Sequence, residues 1–94
     1  MKLSEISREQ IKDFCGISGD DSDDMLDVIS AGTRSFIAAY TGISAEELDE
    51  YADISMAFLV LVNEMFTNRT LTVDNANLNP YARQILDLHC RNLL

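Results

Sequence analysis

The chain has 94 residues, 47% of them hydrophobic, and a formal net charge of −9. That length holds a single domain, residues 1–94, with one modest core, and the hydrophobic content argues against a disordered chain. The negative charge argues against direct binding to nucleic-acid phosphates, which takes clustered Lys and Arg.

Taken in order, Met1-Lys2 is followed by Leu3-Ser4-Glu5 rather than an apolar run. No signal peptide is expected, and the default compartment is the cytoplasm. There Cys15 and Cys90 are expected as reduced thiols. Ser7-Arg8-Glu9-Gln10 reads as a capping box, opening a first helix to about Cys15. Ile11, Phe14 and Cys15 share a face of it, and Gly16 supplies a left-handed stop. Its expected task is to lay Ile11 and Phe14 across a later, central helix.

The loop 18–24 is Asp-rich. It fails as an EF-hand because Met25 stands at position six and Ala31 at position twelve. Ser22 is instead expected to cap a second helix over about 23–40, with acids in its first turn where the helix dipole favours them. Met25, Ile29, Phe36 and Tyr40 form its expected inward stripe, flanked by Val28 and Ala39. Gly32 stands mid-helix at a cost of about 1 kcal/mol against Ala, which a close helix crossing would explain. After Thr41-Gly42, Ser44-Ala45-Glu46-Glu47 opens a short helical turn with Leu48 inward and Tyr51 partly covered.

Residues 54–69, ISMAFLVLVNEMFTNR, hold the longest apolar run. Ile54, Ala57, Phe58, Leu61, Val62 and Met65 recur at helical spacing, and Met56, Leu59, Val60 and Phe66 add apolar character to the other side. A helix apolar nearly all round wants neighbours on most sides, and Asn63 and Glu64 make it too short and interrupted to span a bilayer. The fold expected is therefore all-α: a small bundle of four to five helices around this central helix. Residues 70–79 follow with few charges, and Leu71, Val73 and Leu78 are apolar side chains that the core does not obviously need. Such a segment suits an interaction surface that becomes ordered on assembly. Asn79-Pro80 then caps a last helix, to about Arg91, with Ala82, Ile85, Leu86 and His89 on one side.

Catalytic chemistry is not evident. His89 and its neighbour Cys90 project about 100° apart on a helix and cannot form a nucleophile–base pair. His89 reads as a partly buried packing residue. No Cys/His spacing suits zinc and no Gly-rich loop suits phosphate, so no enzyme, metal or cofactor is expected. The charge is lopsided. Residues 1–53 hold 13 acids and 4 bases, a net of −9, and residues 54–94 hold 3 of each, a net of zero.

The order of elements resembles the head–tail connector proteins (adaptors, or head-completion proteins) of long-tailed phages and prophages. The matching stretches are 11–17 followed by 20–26, then Ile37-Ala38-Ala39-Tyr40-Thr41-Gly42, then 57–69 ending in Phe66-Thr67-Asn68-Arg69, then 80–91. Two places depart from the family pattern. Phe14-Cys15-Gly16-Ile17 replaces a leucine-arginine pair after the first helix, and Leu86-Asp87-Leu88-His89-Cys90-Arg91 replaces a closing Leu-x-x-Tyr-Arg. The resemblance implies a structural adaptor of the virion, present in the host cytoplasm during assembly. Its copies would form a ring that docks on the portal and extends the DNA channel toward a tail-side stopper or tail-completion protein. DNA would pass without specific binding, and no membrane is involved. Arg69, Leu71, Val73 and Leu78 are the expected interface residues. Arg69 is either a cation at a helix C-terminus or an ion-pair partner of Asp53 or an acid of the second helix. Asp20, Asp21, Asp23 and Asp24, or Glu46, Glu47, Asp49 and Glu50, are expected to face the channel, where repeated acids would repel phosphate. A different class also fits the charge: a small acidic helical regulator that binds a basic protein.

Overall fold

A computed structural model describes residues 2–68 and 78–90 of the chain. After a short 3-10 turn at Leu3–Glu5 come α1 (Arg8–Cys15), α2 (Asp23–Thr41), α3 (Ala45–Leu48), α4 (Ala52–Thr67) and α5 (Pro80–His89). No strand occurs among the described residues, and the fold is the small all-α bundle that the apolar periodicity predicts.

The central role of α4 follows from its sequence. Ile54, Ala57, Phe58, Leu59, Leu61, Val62 and Met65 are all buried, more than half the helix circumference. Neighbours on several sides provide that cover: α2, α5, α1 and the N-terminal turn all pack on α4. Each large side chain so buried contributes about 1.5–3 kcal/mol. Contacts between helix ends fix the directions. Thr33 meets Met65 and Tyr40 meets Asp87, while His89 meets Asp53. So α2 and α5 both run antiparallel to α4.

The caps explain several boundaries. Ser7 Oγ accepts from the Gln10 amide, and the Ser7 amide donates to Gln10 Oε1. This is the expected box, and Gly16 ends α1 at φ 70°. Gly42 ends α2 in the same left-handed region. Asn79 Oδ1 accepts from the amides of Tyr81 and Ala82, with Pro80 in the first turn. Ser44 caps α3 through the Glu47 amide, with Leu48 buried beneath it and Tyr51 half-buried.

Four expectations are corrected. Ser22 makes no side-chain cap bond: its backbone lies at φ −108°, ψ 10°, outside the extended region that aims a capping hydroxyl at the next turn. In α1, Phe14 is 43% exposed and Lys12 is buried beside Ile11. The lysine stem covers apolar surface while its ammonium reaches Asp23, the snorkelling that apolar periodicity does not anticipate. In α2, the buried face is Leu26, Ile29, Ser30, Thr33, Ile37 and Thr41; Met25, Phe36 and Tyr40 pack at its edge only partly buried, and Val28 and Ala39 are exposed. The two threonines are admitted because Thr33 Oγ1 donates to the Ile29 carbonyl and Thr41 Oγ1 to that of Ile37, so neither hydroxyl is left unsatisfied. Finally, no close crossing explains Gly32: a Cβ there would meet nothing within 4 Å.

Candidate interaction surfaces

Eight of the 13 acids of residues 1–53 fall into two groups, one at each end of α2. Asp20, Asp21, Asp23 and Asp24 sit at its start, and Glu46, Glu47, Asp49 and Glu50 follow its end. The nineteen residues of α2 span about 28 Å.

Much of the first group is engaged inside the chain. Arg8 forks onto Asp27, with Nε to Oδ1 at 3.1 Å and Nη2 to Oδ2 at 2.6 Å, and reaches Asp23 at 3.3 Å. Lys12 Nζ donates to Asp23 at 2.9 Å and to Asp20 at 3.4 Å. These bonds stitch α1 to the first turn of α2. The Arg8 hydrogen bond holds the Asp27 carboxyl below its ordinary range, and the Asp23 carboxylate raises the Lys12 ammonium. At the other end, Asp49 accepts from the Ser4 amide at 2.9 Å and from its hydroxyl at 2.6 Å. That pair pins the N-terminal turn and holds Asp49 below the usual carboxylate range, the hydroxyl bond contributing most. Among the described residues, Asp21, Asp24, Glu46 and Glu50 have no hydrogen-bond or ion-pair partner for their side chains.

A second polar cluster joins three helices where α5 ends. His89 Nε2 lies 2.9 and 2.8 Å from the two oxygens of Asp53, and its ring stacks on Tyr51 at 4.3 Å. Tyr40 donates its hydroxyl to Asp87 at 2.5 Å, which raises the phenol above its ordinary range. Cys90 Sγ donates to the Tyr40 carbonyl at 3.3 Å. His89 is thus the partly buried packing residue expected, although its partners lie 36 to 38 residues away and only its burial was legible. Among the described residues no three His, Cys, Asp or Glu side chains gather as a metal-holding group. No described helix is long and apolar enough to cross a membrane.

Of the expected interface residues, Arg69, Leu71 and Val73 lie outside the described residues. Asp53, offered above as a partner of Arg69, is taken by His89. Leu78 is 7% exposed and belongs to the core, which removes the reason for assigning it to an interface. Among the described residues, the large apolar side chains that stand exposed are Phe14, Val28, Met56, Tyr81 and Leu88, and the sequence marked none of them for contact with a partner.

Compared with known proteins, residues 6–85 match the family model described as phage gp6-like head-tail connector protein. No curated protein and no solved structure matches the chain.

Proposed function

This chain belongs to the phage gp6-like head-tail connector family, and on that footing we propose that it is an adaptor whose copies form a ring. The ring docks on the portal and extends the DNA channel toward a tail-side stopper or tail-completion protein. A connector is a structural part of the virion, assembled from chains made in the host cytoplasm. The observation that carries the reading is the length of the family match, which runs from just after the N-terminal turn into α5.

Within this reading, one of the two acidic ends of α2 faces the channel. Asp21 and Asp24, or Glu46 and Glu50, supply the charge that keeps DNA phosphates from adhering. The placement of the groups at opposite ends supports a single channel-facing end. The stretch with Arg69, Leu71 and Val73 lies between α4 and α5, and we assign it contact with the portal or a neighbouring copy. Leu78 is left out because it is buried in the core.

The test is the mass and shape of concentrated protein, alone and with portal, by light scattering and negative-stain microscopy. Rings with an open centre are expected. A monomer or dimer under every condition, portal included, overturns the reading and favours an acidic regulator of a basic protein.

A further inference from the structure

We draw no further inference here: the strongest candidate, the apolar side chains Met56, Tyr81 and Leu88 exposed on the surface of α4 and α5, carries nothing because nothing in the structure shows what covers them.

Discussion

Gly32 is exposed, helical and without a neighbour that a methyl group would touch. Gly32→Ala should therefore raise stability by about 0.4–1 kcal/mol, read from urea or thermal unfolding of the monomer, by restricting the unfolded chain. Two carboxylates make the opposite point about solution conditions. Asp27 and Asp49 both ionise more readily in the folded chain than in the unfolded one. A lowered folded value means that their contribution is present above the ordinary carboxylate range and is lost as pH falls through the folded values. Asp27→Asn should thus flatten the acid limb of the stability curve relative to the unmodified protein, with little change in its shape above pH 6. An unchanged acid limb would show that the Arg8 fork has no energetic consequence. The exchange of Phe14 for Lys12 in the interior of α1 shows where reading residues by type fails. A lysine stem is apolar, and its charge is tolerable once Asp23 is within reach, but that acid stands 11 residues away.

At the scale of helices, two serines that look alike in the sequence behave differently. Ser7 completes a reciprocal cap and Ser22 does not. Ser7→Ala should cost about 0.5–2 kcal/mol, whereas Ser22→Ala should be near neutral in the same unfolding assay. Equal effects would contradict the described cap geometry. The elements themselves were legible because apolar spacing, Gly16, Gly42 and Asn79-Pro80 all act locally. What was not legible is rotational. The inward face of α2 turned out to contain Thr33 and Thr41, whose hydroxyls bond within their own helix and so pass as core. The joining cluster around His89 was hidden for a related reason, since Asp53 and Tyr51 become its neighbours only once α4 and α5 lie antiparallel. Arg34 is a further joint of this kind: it donates to the Ile6 carbonyl at 3.1 Å and lies 4.7 Å from the centre of the Phe58 ring, tying α2 and the N-terminal turn across α4. Phe58→Ala should cost about 3–5 kcal/mol.

For the molecule as a whole, charge placement yields a test that separates the two functional readings without a structure of either complex. Self-association of a −9 chain works against long-range repulsion, which salt screens. Raising sodium chloride from low to physiological strength should therefore strengthen assembly, measured by light scattering at fixed protein concentration. Binding to a basic partner should weaken over the same range. The length of α2, about 28 Å, exceeds the screening length of about 8 Å at physiological salt, so charges at its two ends are largely screened from each other. In the terms of colloid physics the molecule is a patchy rod, with unpaired acids gathered near its tips. Particles of that kind avoid tip-to-tip chains and gather side by side, their tips in register. A closed circle of such rods would present one anionic rim at each end of its subunits, and the two rims could diverge in charge and partner without disturbing the seam that holds the circle together.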